Sequence, residues 1–341
     1  MLFSTYNCVL ASVYNYLQGI HKLTPSLEAI CYEPSLFALH SIDGIAAIAH
    51  PLHIAEQYLA RIGAEIVFPS FDGVDEALAY ADTHLALKGG LSFSINLRYD
   101  VLEPLPFDND LWHFHWMAAS PNTPDGPDLV RSTSVPDAIR GTGRYLMFDQ
   151  YENEYYRMDE ERLRQAIDTP FNYRMNGRFT PFMEIHLTDP AYTMARMEAD
   201  TDMRSRLASA VAKYPFELNQ GIWHACLNGL RRYVTDKPDQ GDVYRYMNFA
   251  QIIMRCREVV WHYLVREGLG TFEPLRQWRD GWTQYRTVLG ITLNRRTADE
   301  ISRLIDNYEG LIELEQRALT AIVEELAAKQ IEVQGGASAW S

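Results

Sequence analysis

Tyr6-Asn7-Cys8-Val9-Leu10-Ala11-Ser12-Val13-Tyr14-Asn15-Tyr16-Leu17-Gln18-Gly19 is the stretch on which the fold turns. Apolar residues recur at 9, 13 and 17 and at 10 and 14, the spacing of a buried helix, with Gly19 as a stop signal and Ser4 or Thr5 able to cap the start. Cys8 then falls in the first turn, where unpaired amide N–H groups and the positive end of the helix dipole favour a thiolate over a thiol. The ordinary alternative is a cysteine buried as a small apolar residue. Which of the two applies depends on what the rest of the chain brings to it.

Working outward, His53 to Gly63 reads as a helix, Ala64 to Phe68 as a short strand, and Asp75 to Gly89-Gly90 as a second helix. Leu91 to Leu97 alternates with period two and is the clearest strand. Trp112 to Ala119 and Tyr145 to Asp149 read as two more strands, separated by a long loop rich in Ser, Pro, Gly, Thr and Asp over residues 120–143. Tyr155 to Met158 continues the pattern, and helix signals return at Asp159 to Ala166. From about Pro190 the chain reads as helices over roughly 191–213, 215–236, 243–268, 273–287 and 297–330. Thr297 with Glu300 forms a capping box at the start of the last one.

The 341 residues suffice for two domains, placed at 1–190 and 191–334 with a frayed tail at 335–341. The net charge of −14 is uneven, with 12 Lys+Arg against 25 Asp+Glu in residues 1–190 and 19 against 20 thereafter. That sign argues against nucleic acid and against an anionic membrane surface as partners. No apolar run is long enough to span a bilayer and no signal-peptide pattern opens the chain, so a cytoplasmic location is expected. Cys8, Cys31, Cys226 and Cys256 show no zinc-ligand spacing and read as free thiols; neither metal nor cofactor is implied.

Three features of the first half suit one chemistry: a cysteine starting a helix, a histidine starting a strand and an acidic residue ending the next strand. A nucleophilic cysteine needs an imidazole within reach of its sulfur and a third polar group to orient the ring. Cys8, His115 and Asp149 satisfy that order. His113 shares the face of His115, since alternate strand residues point the same way. His115 is preferred as the base because the apolar run Trp116 to Ala119 follows it directly, leaving His113 to line substrate access.

The succession of Asn7-Cys8 at a helix start, LARIGAEI, VDEALAYADTHLALKGGLSFSINLRYDVLEPLP, HFHWMAAS and RYLMFDQYENEYYRMDEERLRQA resembles the N-terminal domain of butirosin biosynthesis protein H and its relatives. The resemblance covers roughly residues 1–170 and rests on the order of several weak motifs. It implies an α+β, papain-like cysteine-peptidase fold, here followed by an all-helical domain. It further implies Cys8 as nucleophile, His115 or His113 as base, Asp149 as orienter, and a loop motif from Asp100 to Pro106 near the substrate. Two departures stand out. The family's Gly-Tyr-Asp after the histidine strand is Ser120-Pro121-Asn122, and no glutamine precedes Cys8, so the Cys8 amide with Asn7 or Thr5 would bind the oxyanion.

The expected activity is transfer of an acyl group from a carrier-protein thioester to a small-molecule amine in secondary-metabolite biosynthesis. The expected partners are an acyl carrier protein or a synthetase carrier domain, and the helical half is expected to close the cleft or mediate a homodimer. Hydrolysis of the acyl-enzyme, and a non-catalytic carrier-binding scaffold, are the alternatives. Trp223-His224-Ala225-Cys226 and Val260-Trp261-His262-Tyr263 lie on apolar helices without a second ligand at suitable spacing and read as core.

Overall fold

A computed structural model describes residues 8–23, 25, 37–42, 44–48, 51–102, 104, 113–118, 139–149, 154–173, 178–199, 202–234, 240–295 and 297–338. The fold is mixed α+β. It divides into two units, one formed by residues 1–27 and 55–199, the other by residues 28–54 and 200–341.

The first unit is built on a seven-stranded sheet. Its elements are helix α1 (Cys8–Gly19), strand β3 (Ala64–Val67), strand β4 (Gly90–Ile95), strand β5 (His113–Ala118), the two-residue strand β6 (Arg140–Gly141), strand β7 (Tyr145–Asp149), strand β8 (Glu154–Met158) and strand β9 (Phe182–Leu187). The strands lie in the order β3-β9-β4-β5-β7-β8-β6, all antiparallel except the β6–β8 pair. Helix α2 (Pro51–Ile62) precedes β3, helix α3 (Val74–Lys88) precedes β4, helix α4 (Glu160–Ile167) follows β8, and helix α5 (Pro190–Ala199) follows β9.

Register decides which side chains share a face. Ser92 pairs with Trp116 and Phe93 with His115 across β4 and β5, while Met147 pairs with Tyr156 across β7 and β8. Phe93, Met147 and Tyr156 join Leu78, Ala81 and Leu85 of α3 and Leu163, Ala166 and Ile167 of α4 in one buried core. The other face receives α1: the Ser92 hydroxyl donates to Ser12 at 2.7 Å, and Tyr16 packs edge-on against Trp116 at 6.0 Å between ring centroids. Residues 8, 12 and 16 form one helical row, so Cys8 belongs to the row facing the sheet.

Two glycines are fixed by space. A side chain at Gly90 would enter the Trp116 indole, its Cβ 2.3 Å from the ring, so β4 must begin on glycine. Gly63 has φ +73°, and a Cβ added there would lie 2.7 Å from the Tyr192 ring, so glycine closes α2 before β3.

The second unit joins a β-hairpin to helices. Strands β1 (Leu39–Ile42) and β2 (Ile45–Ile48) pair antiparallel, followed in the chain by helices α6 (Met203–Ala212), α7 (Phe216–Gly229), α8 (Gln240–Leu264), α9 (Glu273–Arg295), α10 (Ala298–Tyr308) and α11 (Leu311–Ser338). Fully buried Asn219 of α7 holds the hairpin, accepting from the Leu39 amide and donating to the Phe37 carbonyl, each at 2.8 Å. The capping box at Thr297 and Glu300 is formed, with the Thr297 hydroxyl donating to Glu300 at 2.9 Å and accepting its amide at 3.3 Å. At the centre, Glu315 of α11 and Arg257 of α8 form a wholly buried ion pair at 3.0 Å. Among the described residues, no helix is long and apolar enough to cross a membrane.

Candidate functional site

Cys8 begins α1 and is half-buried against the sheet. Its sulfur is held by the backbone of Phe114 on β5, with the Val9 and Cys8 backbone adding weaker bonds of the same sense. These favour the thiolate, as the helix-start argument expects. Burial outweighs them, and with Asp149 close enough to repel a second negative charge the thiol is pushed up to about 11. The expectation of a resting thiolate is therefore corrected: in this arrangement Cys8 is a thiol, because desolvation exceeds what the helix end supplies.

Behind it lies a buried polar cluster at the end of the sheet. His115 of β5, Asp149 at the end of β7 and Asp100, just past the 3-10 turn Leu97–Tyr99, are 3%, 4% and 2% exposed. One ligating atom from each lies within 4.8 Å of the others. The imidazole is held at both nitrogens: Nδ1 is hydrogen-bonded to the Tyr156 hydroxyl at 2.8 Å, and Nε2 faces Asp149 Oδ2 at 3.9 Å. The ring also meets Phe93 edge-on, with 6.1 Å between centroids. Burial and the charges of Asp100 and Asp149 hold the Tyr156 phenol well above its ordinary value, so it remains an O–H.

The structure thus brings His115, Asp149 and Asp100 together and places Cys8 within electrostatic reach of Asp149. It does not join the Cys8 sulfur to the His115 ring. Strand alternation points His115 toward α3 and α4 and leaves α1 on the opposite face. The thiol meets the cluster at the sheet end, through the Phe114 backbone. His113 begins β5 opposite Ile95 in register, but its side chain lies outside the described residues. Thr5, Asn7 and Cys31 lie outside them too, as do residues 105–112 and the loop over residues 119–138.

Sequence reasoning missed Tyr156. The signal was present, because pairing of β7 with β8 sets Asp149 opposite Glu154 and Met147 opposite Tyr156, putting the phenol on the face of Asp149 and His115. A second polar cluster was also missed. Glu184 of β9 accepts from Tyr80 and, at 3.4 Å, from Tyr16, with His84 Nδ1 at 3.8 Å and His186 Nε2 at 3.3 Å. Burial lowers the His84 imidazole, opposed by Glu184 and reinforced by Lys88 and His186.

In the second unit, Trp223, Cys226, Trp261 and Tyr263 are buried as expected of core residues, whereas His224 is half-buried and Ala225 and His262 are exposed. His224 reaches Glu309 at 4.0 Å. Compared with protein-family models and with curated proteins, the chain matches none.

Proposed function

We propose that the chain is a cysteine-dependent acyltransferase of papain-like architecture, taking an acyl group from a carrier-protein thioester and passing it to a small amine. The observation that carries this reading is the placement of Cys8 at the start of α1, bonded to the backbone next to His115 and within the field of Asp149. The Cys8 proton moves to the imidazole, either His115 or His113, as the sulfur attacks the thioester carbonyl. Where His115 is the base, the buried Asp149 and Asp100 lie beside the resulting imidazolium and stabilise it strongly. Pantetheine leaves with that proton, the acyl-enzyme remains, and the amine then attacks while the imidazole removes its proton. Amides of the first helical turn are suited to hold the oxyanion.

Incubation with an acyl-pantetheine thioester, followed by intact mass, tests the first half-reaction. An acyl adduct on the wild type that disappears in Cys8→Ala is expected; no adduct, or an undiminished one in Cys8→Ala, overturns the proposal. Adding primary amines to the adduct separates transfer from hydrolysis, since an acyltransferase yields amide faster than free acid.

A further inference from the structure

The three side chains at the end of the sheet suit an occupant that the sequence spacing does not imply. Asp100 is 2% exposed, and its carboxylate accepts from the Leu102 amide at 3.2 Å. Among the described residues, no Lys, Arg or His forms an ion pair with it. Arg162 donates to the backbone carbonyls of Tyr99, at 2.7 Å, and Asp100. Two buried carboxylates this close together are costly unless a positive charge sits between them.

The imidazole is arranged to share in such a charge. Its Nε2 faces the carboxylates while Nδ1 is held by Tyr156. A cation on Nε2 leaves the ring proton on Nδ1, which donates to the Tyr156 oxygen; fixing a ligating histidine through its other nitrogen is how metal sites are ordinarily oriented. Metal–ligand bonds of about 2.0–2.2 Å set opposite ligands roughly 4.2 Å apart, so the cluster closes around an ion with shifts of less than about 1 Å. One imidazole and two carboxylates suit a first-row divalent ion better than the all-oxygen shell that calcium prefers or the thiolate-rich shells of soft ions.

We infer that Asp100, His115 and Asp149 form a binding site for one first-row divalent cation, with Tyr156 orienting the imidazole. The inference is independent of the acyl-transfer reading. Where that reading holds, a cation on Nε2 occupies the lone pair needed by the base and inhibits the transfer reversibly.

Titration of chelator-treated protein with Mn2+, with free ion followed by electron paramagnetic resonance, tests it. The expected result is saturable binding of one equivalent, weakened at least about tenfold in Asp100→Asn and His115→Gln and by about 10–100-fold in Tyr156→Phe. Cys8→Ser is expected to bind as the wild type does. Tyr156→Phe preserves shape and serves if the other variants fail to fold, as judged by circular dichroism. Absence of saturable Mn2+ binding to folded wild type, or binding undiminished in the folded variants, overturns the inference. Intact Mn2+ binding with no Cys8 acylation would sink the acyl-transfer reading alone.

Discussion

The two units each bury an ion cluster, and the clusters differ in how completely they are closed. In the helical unit, Glu315 accepts two bonds from Arg257, at 3.0 and 3.1 Å, one each from the Trp278 and Trp282 indoles, at 2.9 and 2.7 Å, and one from the Tyr214 hydroxyl at 3.0 Å. Arg257 in turn lies over the Phe37 and Trp282 rings at 5.5 and 5.6 Å. Every lone pair of Glu315 is used, which leaves no coordination for anything else. At the end of the sheet, among the described residues, Asp100 accepts from one amide and His115 has one short and one long contact. The first cluster organises a core; the second keeps capacity for a proton, a cation or a substrate, as functional sites do at some cost in stability.

Breaking the closed cluster should have the largest effect. Glu315→Ala strands Arg257 without a counter-charge and is expected to lower stability by about 3–5 kcal/mol in urea unfolding followed by indole fluorescence. The Arg257→Met, Glu315→Leu pair should recover most of that loss. A loss below about 1 kcal/mol for Glu315→Ala would erase the contrast between the clusters.

Removing charge from the open cluster should do the reverse. Asp100→Asn leaves the shape and relieves repulsion between buried carboxylates, so in metal-free buffer stability should hold or rise by up to about 2 kcal/mol. A loss as large as that of Glu315→Ala would show that Asp100 is as tightly integrated as Glu315.

The Cys8 thiol sharpens the electrostatic side of the comparison. Its alkylation by iodoacetamide should accelerate with pH toward a midpoint near about 11, and Asp149→Asn should shift that midpoint down by removing a like charge. The sign for stability follows from the same shift. A thiol raised above its unfolded value of about 8.5 contributes fully below that pH, and the contribution is lost as pH climbs through about 11.

The smallest effect is expected at the Glu184 cluster. The His84 imidazole is lowered in the fold, so its contribution is present above about pH 6.5 and lost as pH falls below it. His84→Gln should flatten stability between pH 7 and 5 in thermal melts, and an unchanged slope would assign the acid sensitivity elsewhere.

Much of the sheet was legible because single strands carry their own signal. Leu91 to Leu97 and Tyr145 to Asp149 stand out by alternation or by an apolar run, and the observed strands Gly90–Ile95 and Tyr145–Asp149 match closely. Phe182–Leu187 was missed, although it sits between β3 and β4, since Glu184 and His186 break its apolar pattern and find partners only in the folded unit. The hairpin of β1 and β2 was hidden by its four-residue strands. Helical periodicity ran on across real breaks: residues 191–213 form two helices, and the last segment divides at Glu309 and Gly310. Glu315 could have been suspected, because it shares a stripe with buried Ile312, Leu319 and Ile322, but its partner Arg257 is 58 residues away. Around Cys8, His115 and Asp149, the elements were legible and their orientation was not. Cys8, His115 and Asp149 are ordered as read, yet which face of β5 receives α1 depends on sheet register, which no local pattern encodes.

The most direct measurement is the rate at which Cys8 takes up acyl label from an acyl-pantetheine thioester in the wild type and in Asp149→Asn, read by peptide mass. If the cluster serves the thiol, label appears on the Cys8 peptide and the Asp149→Asn rate falls by about 10²-fold or more, as expected when a general base loses its orienting partner. Label at equal rates in both proteins, or label on Cys226 or Cys256 instead of Cys8, would contradict it.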